Sequence, residues 1–375
     1  MHAEAVDHLV IGGGPAGSMM ALQLAEAGRQ VTLLEKERAA HHKVCGEFLS
    51  HEAVEYLRQA GVSARDLGAA SIRNVRLAAG HKAAEVQLPF QALSLSRCAL
   101  DEALLQRAAD KGCEVMRGAS VVRLSACDGV WTVSLDDGRS LRAHSVFLAT
   151  GKHDLHGWNR GRGEQSDLIG FKLHWRLAPA QTEELREWMD LFLFTGGYGG
   201  LSLVETEIAN LCLVVRRCEL RRIGSWQNLL AAAMRENRRL RHLLEGAEPL
   251  WARPLAISPI PYGYFAPSSC GLWRVGDQAA VVPSFTGDGM SIALHSAHLA
   301  AQMFLAGQST EAYSRTLRAQ LGGRINLATW ISRAIVTDAG RSSAILAASL
   351  FPGAMRWIAA STRVPAAALL FNPAR

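Results

Sequence analysis

Apolar positions follow three rhythms along this chain, and the changes between them mark its organisation. Residues 7–11 (DHLVI) form a short apolar run, Pro15 to Ala27 carries good helix formers up to Gly28, and Val31 to Leu34 is a second apolar run. Strand, glycine-terminated helix and strand make a βαβ unit. HEAVEYLRQAG (51–61) predicts a helix closing at Gly61, residues 72–89 alternate as strands do, and CALDEALLQRAADKG (98–112) predicts another helix. CEVMRGASVVRL, VWTVSL, the DDG turn at 136–138 and SVFLAT (145–150) read as strands. They predict a small antiparallel sheet laid on the α/β core.

From about 165 to 265 the pattern is strand-rich (FKLHWRL, DLFLF, YGGLSLVE, IANLCLVV), with helix at 226–244. From Leu272 it reverts to α/β: LWRVGD is strand and turn, SIALHSAHLAAQMFL (291–305) is helix, and more helices complete the chain. The expected partition is therefore 1–164, 165–268, 269–310 and 311–375. An α/β domain is split in sequence, a β-rich substrate domain is inserted between its halves, and the C-terminus is helical.

Composition narrows the classes. The 375 residues are 49% hydrophobic and 20% charged, which is globular, and the net charge of +6 is spread out apart from Arg216, Arg217, Arg221, Arg222 and Arg235, Arg238, Arg239, Arg241. These groups read as solvated helix faces; no nucleic-acid-reading module accompanies them, so nucleic acid is not an expected partner. Seven cysteines, an odd number without CxxC pairs, predict free thiols in a reducing compartment and no metal site. The N-terminus has no basic segment ahead of its apolar run and no uncharged stretch reaches the roughly 18–20 residues of a spanning helix, so a cytoplasmic location is expected. The tail at 344–371 is apolar but broken by Pro352, Arg356, Arg363 and Pro365. It is expected to pack on the body or line a hydrophobic channel, with peripheral membrane contact as the alternative.

IGGGPAG places Gly12, Gly14 and Gly17 in GxGxxG spacing between a strand and a helix. Gly12 permits the tight turn, Gly14 lets the backbone approach a pyrophosphate, and Gly17 lets the helix pack on the strand. Glu35 ends the second strand, where a carboxylate accepts the hydrogen bonds of a ribose diol and disfavours a 2′-phosphate. A dinucleotide of the FAD or NAD type is the expected ligand. VGDQAAVVPSFTGDGMSIALHSA (275–297) follows a strand and enters a helix at Gly289. Asp277 is expected to bond a polyol hydroxyl while amides at the helix start face an electron-rich cofactor edge.

IGGGPAG with Glu35, SRCALDEALLQRA (96–108), VFLATG (146–151) and the Gly276-Asp277 segment, in this order, resemble the FAD-dependent oxidoreductases of the p-hydroxybenzoate hydroxylase and geranylgeranyl reductase superfamily. The resemblance covers about residues 5–310 and implies a Rossmann-like FAD-binding domain of the GR2 type. It implies FAD lying along Gly12, Gly14, Pro15, Ala16 and Gly17, with Glu35 and Lys36 at the adenosine ribose, Arg97 near the cofactor, and the backbone around Val122 at the adenine. Asp277 would hold the ribityl or phosphate end, and Gly46, Gly289 and Met290 would lie by the isoalloxazine.

CGEFLS (45–50) resembles the CGxxLS loop of the geranylgeranyl reductase branch, which lies by the flavin. GGYGGLSLVE (196–205) stands where those reductases carry an aromatic substrate-facing motif, without its Trp and Phe-Pro, and the halogenase motif WxWxIP is absent. The candidate catalytic residues are Cys45, Glu47 and Tyr198; Glu47 reads as a general acid or as a loop carboxylate capping a backbone amide. His295 and His298 read as packing, and of His174 and Trp175, alternating on a strand, only one can face a cavity.

The leading expectation is a monooxygenase hydroxylating a hydrophobic or aromatic small molecule through a flavin hydroperoxide, with NADPH or NADH as transient reductant. The alternatives are an FAD-dependent reductase of carbon–carbon double bonds in a lipid-like substrate, and a flavoprotein acting on a partner protein.

Overall fold

The computed structural model describes residues 4–267 and 271–369; Cys270 and the last two residues of the apolar tail, Leu370 and Phe371, lie outside the described residues. The first half runs β1 (Glu4–Ile11), α1 (Pro15–Glu26), β2 (Val31–Glu35), β3 (Phe48–Leu49), α2 (His51–Gln59), β4 (Ala70–Ala79), β5 (Lys82–Ser94), α3 (Arg97–Asp110), β6 (Glu114–Arg117), β7 (Val121–Cys127), β8 (Val130–Leu135) and β9 (Ser140–Leu148). The middle comprises β10 (Leu168–Arg176), α4 (Pro179–Leu185), β11 (Glu187–Phe194), β12 (Gly197–Leu203), β13 (Ala209–Arg216), α5 (Arg217–Ile223), α6 (Trp226–Glu236), α7 (Arg238–Leu244), β14 (Glu248–Pro249) and β15 (Leu255–Ile257). The chain ends with β16 (Leu272–Arg274), α8 (Gly289–Leu305), α9 (Thr310–Ile335), α10 (Asp338–Leu350) and α11 (Pro352–Ser361). The α2 and α3 starts are set by serines: Ser50 and Ser96 each cap the first turn, accepting from the amides of Ala53 and Ala99.

The first sheet has the order β6-β2-β1-β9-β8-β7, with β16 also on β9. Its β6, β2, β1, β9 and β16 pairings are parallel, and alternation along β1 divides two cores. Val10 packs with the helices α1, α3 and α8, while Leu9 and Ile11 pack with Trp131 and Val133 of β8. The antiparallel strands are not a separate layer, as the sequence pattern had suggested. The N-terminal part of β9 pairs with β8 and the C-terminal part with β16, so one long strand serves both arrangements in one sheet. This mixed α/β sheet with a helical C-terminus is the expected fold class.

The second sheet runs β14-β10-β13-β12-β11-β4-β5-β3, with β15 on β10. One face is closed by α4, α6 and α7 over Phe171, Phe192, Leu201 and Leu211. The other face carries Lys172, His174, Leu191, Leu193 and Tyr198, offset by one residue on their strands, and looks toward the first sheet. Strands β3, β4 and β5 precede residue 164 yet pair into this second sheet, so the sheet draws on chain from both sides of the expected boundary at 164. Helices α10 and α11 lie over β4 and β5. Among the described residues no single helix is long and apolar enough to cross a membrane; Asp338–Leu350 and Gly353–Ala368 reach that composition only together, across a bend of 113°.

Candidate functional site

The site begins where β1 turns into α1. Gly12 has φ +108°, a conformation that favours glycine, and its amide donates to the Leu34 carbonyl at 2.8 Å. A Cβ at Gly17 would lie 1.8 Å from the Gly12 carbonyl oxygen, so the helix can approach the strand only without a side chain there. Gly14 precedes Pro15 at the first helical position, leaving the amides of the first turn directed at a cavity. Glu35 is buried at the end of β2 and accepts from the Gly13 amide at 2.8 Å and the Glu37 amide at 2.9 Å. One hydrogen bond on each oxygen leaves acceptor capacity for a diol.

Cations surround this turn. Arg97 is held by Asp101 through two bonds of 2.7 and 2.8 Å, and Lys43 reaches the same carboxylate at 3.0 Å. A Cβ on Gly14 would come within 3.3 Å of the Arg97 guanidinium. Lys36 lines the cavity, and Lys152 pairs with Asp277 at 3.2 Å. Burial pushes the Asp101 carboxyl up, but Arg97 and Lys43 outweigh it and hold the group below the usual range. A helix start, an acid at the end of β2 and four cations fit an FAD pyrophosphate and ribose.

The loop from Lys43 to Glu47 passes the same cavity. Glu47 has φ +59° and is fully buried. It accepts from the Arg97 amide at 2.7 Å, ion-pairs with Lys172 and bonds His174 Nε2 at 2.9 Å. Burial alone would raise its pKa; the His174 hydrogen bond and the Lys172 charge overcome that and lower it, leaving an anion at neutral pH. Glu47 thus accepts from a backbone amide and is also the hub of a buried ion pair. His174 stacks on Trp251 at 4.9 Å and meets the edge of His42, whose pKa burial and then Lys172 depress to about 4. His42, Glu47 and His174 bring ligand atoms within 4.8 Å of one another, but Lys172 already supplies the cation. Trp175, one residue on, belongs to the opposite core.

Cys45 accepts from the Glu47 amide at 3.3 Å, and its carbonyl is held by Asn210 at 3.1 Å. Cys45, Gly46, Glu47, Arg97, Tyr198, Asp277, Gly289 and Met290 all line one cavity of about 1220 Å³ with the glycine turn. Val122 does not: Ala119, Ser120 and Val121 line the wall there, and the Val122 side chain is exposed. Tyr198 is buried with its hydroxyl 3.3 Å from Ser332, and burial raises its pKa. His295 bonds Tyr56 and Gln320 inside the helical core, and His298 is buried beside it.

Away from the glycine turn the cavity walls are apolar. Val75, Leu77, Val86, Leu88, Leu191 and Leu193 of the second sheet form one side; Ala344, Ala348, Met355 and Ile358 of α10 and α11 form the other. Its wall also holds a residue that sequence reading passed over. Asp288, between Gly287 and Gly289 at the start of α8, lines the cavity, is 1% exposed, and neither carboxyl oxygen has a partner among the described residues. Burial pushes its pKa well above the carboxylate range, against a smaller opposing effect of Arg363. The signal in the sequence is an acid between two glycines in an apolar stretch, where a solvated turn needs none. Arg363 was also missed: it lines the cavity, ion-pairs with Glu52, covers Phe90 at 3.4 Å and has one buried nitrogen without a partner.

A family model described as an FAD binding domain matches residues 5–149. The chain is 27% identical over 322 residues to menaquinone reductase of Mycolicibacterium smegmatis, covering 81% of this chain and 78% of that protein. It is 26% identical over 316 residues to digeranylgeranylglycerophospholipid reductase 2 of Methanopyrus kandleri, covering 79% and 76%. Among solved structures, the flavin-dependent brominase Bmp2 superposes with a TM-score of 0.76 at 17% identity, over 99% of this chain and 96% of that one. The halogenase PltM in complex with phloroglucinol and FAD gives 0.75 at 12% identity, over 89% and 77%. Both structures carry the same fold.

Proposed function

We propose, for a chain that is an FAD-binding oxidoreductase related to the flavoprotein superfamily of p-hydroxybenzoate hydroxylase, the halogenases and geranylgeranyl reductase, that it reduces a carbon–carbon double bond in a long apolar, lipid-like substrate. The observation that carries this reading is the continuous cavity. Its volume of about 1220 Å³ holds the cofactor end and the apolar compartment as one space. It joins the glycine-turn end to an apolar compartment between the second sheet and α10–α11. The relatives named as reductases of menaquinone and of digeranylgeranylglycerophospholipid, each matched over more than three quarters of its length, support the same chemistry.

FAD, once reduced by NADPH or NADH, supplies a hydride equivalent to one alkene carbon. The protein's share is the proton for the other carbon, the positioning of the chain and the exclusion of water. Asp288 is suited to the first, because burial drives its carboxyl toward the protonated form, the form that has a proton to transfer. Glu47, anionic and saturated by Arg97, Lys172 and His174, is suited to hold the Cys45-Gly46 loop against the cofactor. Cys45 and Tyr198 line the same space and are candidates for substrate contact. The apolar walls orient a flexible chain and keep bulk water from the reduced cofactor.

A monooxygenase is the second reading. The compact aromatic and apolar floor formed by Tyr198, Phe285 and Tyr262 suits a small aromatic substrate as well. One experiment separates the two. The yellow protein is reduced without oxygen and mixed with a polyprenyl lipid that carries no quinone; reoxidation of the flavin with a product two mass units heavier is the expected result. Reoxidation only with oxygen, accompanied by hydroxylation of a phenol, would overturn the reductase reading and select the monooxygenase.

A further inference from the structure

The helices that roof the apolar compartment have two apolar faces, and one of them is uncovered. Ala344, Ala348, Met355 and Ile358 of α10 and α11 face the cavity. Leu346, Leu350, Phe351 and Trp357 of the same pair face outward and are between 52% and 66% exposed. Of the seven large apolar side chains exposed by more than a third among the described residues, five fall between Trp330 and Trp357. Leu346 and Leu350 are one turn apart, so they share a face, and Phe351 continues it across the bend into α11. A patch of this kind on one short helical pair is not the scatter of single apolar residues found on any surface.

Charge decides what fits it. Between residues 324 and 363 the chain has five arginines and one aspartate, with no lysine or glutamate. Arg356 lies beside Trp357, and neither Arg356 nor Arg333 makes an ion pair among the described residues. Exposed tryptophans and bulky aliphatics bordered by unpaired arginines match the headgroup and upper acyl region of an anionic bilayer. The pair is bent by 113°, and such a bend allows both helices to lie in the surface plane. Ala347 connects the two faces: it is exposed and also lines the cavity, so the compartment opens beside the patch.

We infer that the outer face of α10–α11 seats on an anionic lipid bilayer, and that the apolar substrate passes from the bilayer into the cavity beside Ala347. The entry route rests on the reading of the cavity as a lipid-chain site; the docking surface does not. The test uses the full chain with bound FAD and sedimentation with vesicles of phosphatidylglycerol and phosphatidylcholine. Wild type is expected to sediment, and more weakly with phosphatidylcholine alone. The double variant Phe351→Ser, Trp357→Ser, which touches no cavity wall, is expected to lose about tenfold or more in vesicle partition while keeping its flavin spectrum. Its reduction of a lipid dispersed in detergent stays unchanged while reduction of the same lipid in vesicles falls.

Wild type remaining in the supernatant overturns the inference, as does equal sedimentation of the double variant. A stable dimer that the double variant converts to monomer, without vesicle binding, also overturns it and assigns the patch to a second copy. Sedimentation is read without turnover, so failure of the proposed reaction leaves this result standing and is told apart from failure of the docking.

Discussion

The two ends of the cavity are built in different ways. The backbone of the glycine-turn end comes from one stretch of about thirty residues, and its decisive features lie within that βαβ unit: a positive φ at Gly12, a helix packed where Gly17 has no side chain, and Glu35 bonded to the amides of Gly13 and Glu37. The other end joins Glu47, on the cavity wall, to Lys172 and His174, more than a hundred residues away and set behind it on β10. One end is held by backbone fit and the other by desolvated charge. They should therefore fail differently, the first by steric exclusion and the second by loss of a partner.

Changing the backbone fit gives the largest effect. Gly17→Ala puts a Cβ 1.8 Å from the Gly12 carbonyl oxygen, and about 3 kcal/mol or more of stability should be lost, along with flavin absorbance in the purified protein. Thermal unfolding and the visible spectrum measure both. A folded, yellow Gly17→Ala protein would remove the distinction between the two ends.

Lys172→Met attacks the other end by leaving Glu47 buried and without its cation. The expected cost is about 3–5 kcal/mol, and a second change, Glu47→Gln, should recover part of it in a chemical denaturation series. The pH dependence follows from the lowered pKa of Glu47. Its contribution is present above the glutamate value of the unfolded chain and lost as pH falls through the lower folded value. Glu47→Gln should flatten the acid limb of the stability profile; an unaltered limb would mean the hub does not contribute to it.

Asp288 has the opposite sign. Its pKa is raised, so its favourable contribution exists below the unfolded aspartate value and is lost as pH rises through the folded one. Asp288→Asn should gain stability relative to wild type as pH rises, while turnover falls about 10²–10⁴-fold with flavin retained. Turnover equal to wild type would remove Asp288 as the proton source. The smallest change is expected for Cys45→Ala, with FAD retained and turnover altered within about tenfold, or roughly 1.4 kcal/mol. Unaltered turnover would return Cys45 to the role of a loop residue.

What could be read beforehand follows the same division. The βαβ start, the glycine turn, the ribose acid and the reversion to α/β at residue 272 were legible, because each is written within one short, continuous piece of chain. The antiparallel strands after α3 were legible as strands but not as part of the parallel sheet, since pattern says nothing about which edge of β9 they take. Glu47 was visible as a loop acid, but its partners were not: Lys172 and His174 look like ordinary members of a strand until β10 turns one face to Glu47.

The sequence alone determined the α/β fold and the dinucleotide end, because glycine geometry and hydrophobic period act over short distances. The tertiary structure decided the ionisation of Glu47 and Asp288, the joining of the two compartments, and the placing of α10–α11 with one apolar face inward and one outward. Desolvation and charge pairing depend on what lies within a few ångströms in space, and chain separation carries no information about that.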